Sequence, residues 1–179
     1  MTTEEIHNTC KKYNIKDYTI NTDGSIDVNG NVDLSRKNLT KIPLDFHTIS
    51  GDFSLFDNQL TSLLGSPIKV GGYFDCSVNK LTDLYGCPYY VDGDLFCFAN
   101  KLTTLSGQPF IIGGDLYCYD NKLETLYDIK KEFNGYIHCN KNPLIDLFYY
   151  RISKYNQLKD FDKSYLIRKR KLFDVINLI

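Results

Sequence analysis

No run of about 18 apolar residues occurs in this chain, so no segment reads as a membrane-spanning helix. The first residues, Met1-Thr2-Thr3-Glu4-Glu5-Ile6, carry neither the basic stretch nor the apolar core of an export signal. The expectation is a cytoplasmic protein, in which the six cysteines are thiols rather than a disulfide scaffold. Basic residues are not in excess. The 21 Lys and Arg against 22 Asp and Glu give a formal charge of -1, which argues against a general nucleic-acid binder. Histidine is scarce, at three residues, and His138, expected to point out of its strand, has no matching serine or cysteine nucleophile beside it, so an enzyme is not expected. What remains is an ordinary folded composition, 42% hydrophobic and 24% charged over 179 residues, which suits one domain.

The organising feature is a repeat of 21 residues. Stepping by 21 from Leu39 meets Leu60, Leu81, Leu102, Leu123 and Leu144, and stepping from Ile42 meets Leu63, Leu84, Leu105, Leu126 and Leu147. Two further apolar columns are Val32, Phe53, Phe74, Leu95, Leu116, Ile137 and Leu34, Leu55, Cys76, Cys97, Cys118, Cys139. Asparagine fills another, from Asn58 through Asn79, Asn100 and Asn121 to Asn142, and glycine recurs from Gly30 to Gly135. Apolar residues two apart, as in Leu116-Tyr117-Cys118, predict a short strand, and the asparagine after it predicts a bend whose backbone groups its amide satisfies. Units this short cannot bury an apolar face alone, so they stack into a solenoid.

Leu116-Tyr117-Cys118-Tyr119-Asp120-Asn121-Lys122-Leu123 resembles the core pattern of the leucine-rich repeat family, and the 21-residue length with Pro67, Pro88 and Pro109 in the returns is similar to its short bacterial variety. That resemblance spans about Gly30 to Leu147 and implies an α/β solenoid with about six parallel short strands on a concave face and irregular convex returns. The stretch Asp23 to Gly30, with repeats of the Asn79-Lys80-Leu81-Thr82 type, resembles proteins of tailed phages and some bacteria. This narrower likeness implies a phage or mobile-element accessory protein in the host cytoplasm, acting on a host factor and inhibiting a host defence system.

Open solenoid ends need covers. Residues 1–29 are expected to form the first: a helix over Thr3 to Tyr13 opened by a Thr2/Glu5 capping box, then a hairpin of Tyr18–Ile20 and Ile26–Val28 around Asp23-Gly24. Residues 30–147 form the repeat body. In residues 148–179 the 21-step pattern stops, and Phe148, Ile152, Tyr155, Leu166, Ile167, Phe173 and Ile176 follow helical spacing, which predicts a helical C-terminal cap. The apolar tail Val175-Ile176-Asn177-Leu178-Ile179 is expected to dock on the last rung, leaving a monomer.

Side chains between the inward columns define an outward face. It carries Phe56, Tyr73, Asp75, Asp94, Phe96, Phe98, Asp115, Tyr117, Tyr119, Tyr136 and His138, an aromatic surface with acidic neighbours, expected to bind one host or bacterial protein. Stacking between neighbouring strands is the competing explanation for those rings, worth about 0.2–1 kcal/mol per pair. The four cysteines 21 apart lie along a line rather than around a point, so they read as packing and no metal is expected. The pairs Gly71-Gly72 and Gly113-Gly114 lead into strands, so they read as turns and not as phosphate loops. Asp33, Asp52, Asp75, Asp94 and Asp115 on successive rungs read as a solvated face rather than a calcium site or catalytic pair. No cofactor is expected.

Charge is unevenly distributed. Residues 148–179 hold eight basic and three acidic side chains, a net +5, which leaves -6 on residues 1–147. The run Arg168-Lys169-Arg170-Lys171 gives a nucleic-acid alternative that the acidic body opposes. A second alternative is a nucleotide or saccharide stacked on the outward rings, with phosphate disfavoured by the same carboxylates.

Overall fold

The computed structural model describes residues 1–126, 129 and 135–143, together with a short strand at residues 158–159. The helix α1, Thr3–Lys12, begins at the expected capping box: the Thr2 hydroxyl accepts from Glu5 N, and Glu5 Oε2 accepts from Thr2 N at 2.7 Å. Its apolar stripe buries Ile6 and Cys10. Strands β1 (Tyr18–Ile20) and β2 (Ile26–Val28) pair antiparallel, with Gly24 at a φ of 86° in the turn. This N-terminal unit matches the sequence expectation.

From there the chain winds into a parallel β-solenoid of 21-residue turns, and each of the four turns over residues 30–113 contributes two strands rather than one. The front sheet contains β3 (Val32–Asp33), β5 (Phe53–Ser54), β7 (Phe74–Asp75), β9 (Leu95–Phe96), β11 (Leu116–Tyr117) and β12 (Ile137–His138), in sequence order. Their register follows the repeat: Val32, Phe53, Phe74, Leu95, Leu116 and Ile137 lie side by side. The back sheet runs from β1 and β2 through β4 (Phe46–Ile49), β6 (Lys69–Val70) and β8 (Tyr90–Val91) to β10 (Ile111–Ile112).

The back sheet corrects the expectation of irregular returns. Ile49, Val70, Val91 and Ile112 are a further 21-step column, and the first three are fully or almost fully buried between the sheets. Strands of two residues, enclosed by Pro67, Pro88 or Pro109 on one side and glycines on the other, are too short to display an alternation. The interior holds the leucine columns and the cysteine column, with Leu60, Leu84, Leu102, Cys97 and Cys118 at 0% exposure. All six cysteines are free thiols.

The asparagine column joins one rung to the next. Asn79 Oδ1 accepts from Leu60 N at 2.9 Å, while its amide donates to Leu55 O on the preceding rung and Cys76 O on its own, at 3.0 and 3.1 Å. Asn58, Asn100, Asn121 and Asn142 repeat the pattern. The residue before each asparagine turns the chain through left-handed backbone, with φ of 51–55° at Asp57, Val78, Ala99, Asp120 and Lys141, and Arg36 does the same before Lys37 in the first slot of the column.

Strand β13 (Leu158–Lys159) pairs in parallel with β12 and extends the front sheet. A strand therefore stands at two positions where a helical cap was expected. The remaining cap residues, including the Arg168–Lys171 run and the apolar tail, lie outside the described residues, as do the repeat leucines Leu144 and Leu147. No described helix is long and apolar enough to cross a membrane.

Candidate functional site

The outer face of the front sheet presents three rows of side chains, each repeating every 21 residues. Just ahead of the strands stand Asn31, Asp52, Tyr73, Asp94, Asp115 and Tyr136; on the second strand residue stand Asp33, Ser54, Asp75, Phe96, Tyr117 and His138. Two residues further on come Ser35, Phe56, Ser77, Phe98, Tyr119 and Asn140. Period-two alternation turns these outward because their neighbours, such as Leu95 and Cys97, fill the interior.

The rings stack along the solenoid axis. Phe96 and Tyr117 have centroids 4.7 Å apart, Tyr117 and His138 are 4.2 Å apart with planes 4° from parallel, and Phe98 and Tyr119 are 4.6 Å apart at 7°. Tyr73 meets Phe96 edge-on at 5.8 Å. This stacking revises the expectation of an open aromatic patch. Phe56, Phe96, Phe98, Tyr117 and Tyr119 are half-buried, and only Tyr73 and Tyr136, at 38% and 48%, remain well exposed.

His138 is a clearer correction. It was placed outward, and it does lie in the expected row, but it is 8% exposed. The parallel pairing of β13, which sets Lys159 in register with His138, makes its strand an inner one, and Tyr117 covers the ring on the other side. Its Nε2 stands 3.5 Å from Asp115 Oδ2.

The carboxylates also hold the scaffold together. Asp52 Oδ1 accepts from Tyr73 N at 3.0 Å, Asp94 Oδ1 from Asp115 N at 2.7 Å, and Asp115 Oδ1 from Tyr136 N at 2.9 Å. Each thus caps an amide on the next rung. Asp75 Oδ1 accepts from Ser77 N at 2.9 Å and from the Ser77 hydroxyl. Burial raises the Asp75 carboxyl above its ordinary range, the two serine bonds opposing it, whereas the Ser35 bonds lower that of Asp33. The Tyr73 phenol is raised first by burial and then by the charges of Asp52, Asp75 and Asp33, which shows how negative its surroundings are.

The face divides lengthwise into two recesses. A recess of about 430 Å³ at the N-terminal end is lined by Asp33, Asp52, Asp75, Tyr73 and Phe56, with Arg36 over the Phe56 ring at 5.2 Å and 3.5 Å from Asp57. A second, of about 390 Å³, lies at the C-terminal end between the Phe96–Tyr117–His138 and Phe98–Tyr119 stacks and reaches Lys141. The eleven expected residues thus share one face, whose N-terminal recess is lined by carboxylates and whose C-terminal recess is lined by rings, with Asp94 and Asp115 on the ring-bearing rungs. Among the described residues no three His, Cys, Asp or Glu side chains gather as a metal site.

Sequence reasoning missed the outer face of the back sheet. There Ile68, Tyr89, Tyr90, Phe110 and Ile111 are 36–54% exposed, and Tyr89 stacks on Phe110 at 5.1 Å and 6°. Its signal was present as the 21-step series Ile68, Tyr89, Phe110 and Lys69, Tyr90, Ile111, but returns taken as irregular give no inside or outside.

Fold and faces define a parallel β-solenoid repeat protein. Comparison with models of known families, with curated proteins and with solved structures finds no match.

Proposed function

We propose that this chain is a non-enzymatic interaction module that holds an extended basic segment of one protein partner against the front face. The observation that carries this reading is the lengthwise division of that face. A carboxylate-lined recess suits Lys or Arg, and ring stacks one to three rungs away suit an apolar or aromatic side chain of the same segment. Rungs lie about 4.8 Å apart, so a segment spanning both recesses crosses roughly 15 Å, about five extended residues. The three histidines support a non-catalytic role, being dispersed: His7 meets Tyr18, His47 meets Asp27, and His138 meets Asp115.

The leucine-rich-repeat resemblance, and the narrower one to phage proteins, supply the partner class: a host cytoplasmic factor, with a defence component foremost. Cross-linking after pull-down from a bacterial lysate tests the reading. Capture of one protein is expected, with cross-links in a basic segment, weakened by salt and lost in Tyr73→Ser/Phe98→Ser. Unchanged capture by that variant refutes it.

A second reading is favoured by the parallel ring walls of the 390 Å³ recess, which match a planar or saccharide ligand. Thermal-shift screening of such compounds separates the two, because this reading requires stabilisation without any protein partner.

A further inference from the structure

We infer that the outer face of the back sheet is a self-association surface, through which two copies of this chain pair about a two-fold axis. The face is apolar and regular. Ile68, Tyr89 and Phe110 succeed one another on adjacent rungs, joined by Ile68 O accepting from Tyr89 N at 2.9 Å and Tyr89 O accepting from Phe110 N at 2.8 Å. Tyr90 and Ile111 flank them in register. Exposed fractions of 36–54% on these five side chains leave roughly 450 Å² of apolar surface open if each side chain offers about 200 Å². Leu64 and Tyr85, on the turns leading into β6 and β8 and 75% and 65% exposed, raise this to roughly 700 Å². A stable interface takes about 800 Å² from each partner, and patches above about 600 Å² are unusual on monomers.

Charge selects a second copy as the occupant. The front face carries Asp33, Asp52, Asp75, Asp94 and Asp115 along its rungs, so two front faces repel one another. The back face is balanced, because Lys69 Nζ lies 2.8 Å from Asp92 Oδ2, joining two neighbouring rungs. A two-fold axis lying in the interface, parallel to the strands and midway between β6 and β8, exchanges those rungs, bringing the lysine rung of one copy over the aspartate rung of the other. The surface is therefore complementary to itself in charge as well as apolarity. Such pairing departs from the monomer expected from the sequence and leaves both front faces open.

Sedimentation equilibrium of the full chain from 1 to 200 µM is the test. The expected result is a reversible dimer of about twice 20.7 kDa, with Tyr89→Glu/Phe110→Glu raising the dissociation constant about 30-fold or more, as loss of a central aromatic anchor does. Ile111→Lys is the milder second variant and should weaken pairing in the same direction if the double variant does not fold. A 20.7 kDa species throughout overturns the inference. So does a dimer unaffected by these substitutions, which places the contact elsewhere. A monomer whose β8 and β10 amides gain exchange protection from residues 144–179, as shown by their loss on truncation, assigns the face to the chain's own C-terminal segment and also overturns it.

Discussion

Replacing Asn79 with alanine removes one hydrogen-bond acceptor and one amide donor from a side chain that is 8% exposed. The acceptor serves Leu60 N, which is buried and has no second partner among its described hydrogen bonds, so its orphaning costs about 1–3 kcal/mol. The donor loss is milder. Leu55 O still receives the Asn58 amide, Cys76 O the Asn100 amide and Ser77 O the Asp57 N–H, so each loses only a second bond, together about 1 kcal/mol. The expected total is about 3 kcal/mol in urea unfolding, read as a lower midpoint at unchanged slope. Asn79→Asp sharpens the test, since its carboxylate still accepts from Leu60 N but turns an oxygen on the Leu55, Cys76 and Ser77 carbonyls. Burial and that repulsion raise its folded pKa, so its ionised form is destabilised at neutral pH and part of the stability returns as pH falls towards 4. A cost below about 1 kcal/mol for Asn79→Ala, or an Asn79→Asp deficit that does not shrink in acid, would refute the ladder as a stabilising device.

Val78 holds a β-branched side chain at a φ of 54°, where Asp57 and Asp120 stand on other rungs; Val78→Asn should raise stability by about 0.5–1 kcal/mol in the same urea titration. Gly107 combines a φ of 84° with a position where an added Cβ would lie 2.4 Å from Tyr85 N on the preceding rung, so Gly107→Ala should cost about 3 kcal/mol or more, with the melting temperature as readout. Asp75 has a folded pKa raised by burial, so its ionisation opposes folding: its stability contribution is full below the unfolded value near 4 and is lost as pH rises through the folded value. Asp75→Asn should therefore be more stable than wild type at pH 7, the difference closing towards pH 4. Burial raises the thiols of Cys76, Cys97, Cys118 and Cys139, the last to about 12, so none should react with a thiol reagent at pH 8 until the chain is unfolded.

The legible parts of this molecule are those in which one residue type recurs for one local reason. Leu60, Leu81 and Leu102 recur because each rung needs the same filling, and Asn79 and Asn121 because each bend has the same orphaned groups. The Thr2/Glu5 box is equally local. The back sheet was not legible in this way, because Tyr90–Val91 is too short to alternate and its burial depends on the facing sheet. The front-face residues share one face, as alternation predicts, but their rings are less exposed than the sequence suggests: a ring's accessibility depends on which ring lies 21 residues away and how the two are tilted.

The sequence by itself determined the period, the inward columns, the asparagine ladder and the N-terminal unit, since each follows from the repeated chemistry of single positions. Only the tertiary structure decided that Asp94 and Asp115 use an oxygen to cap the next rung, that His138 lies under Tyr117 beside a further strand, and that the back sheet carries a row of exposed apolar side chains among the described residues. The physical reason is that burial belongs to pairs of surfaces. A 21-residue unit states which side chains it carries, whereas the rung above, the rung below and the opposite sheet decide which of them still meet water.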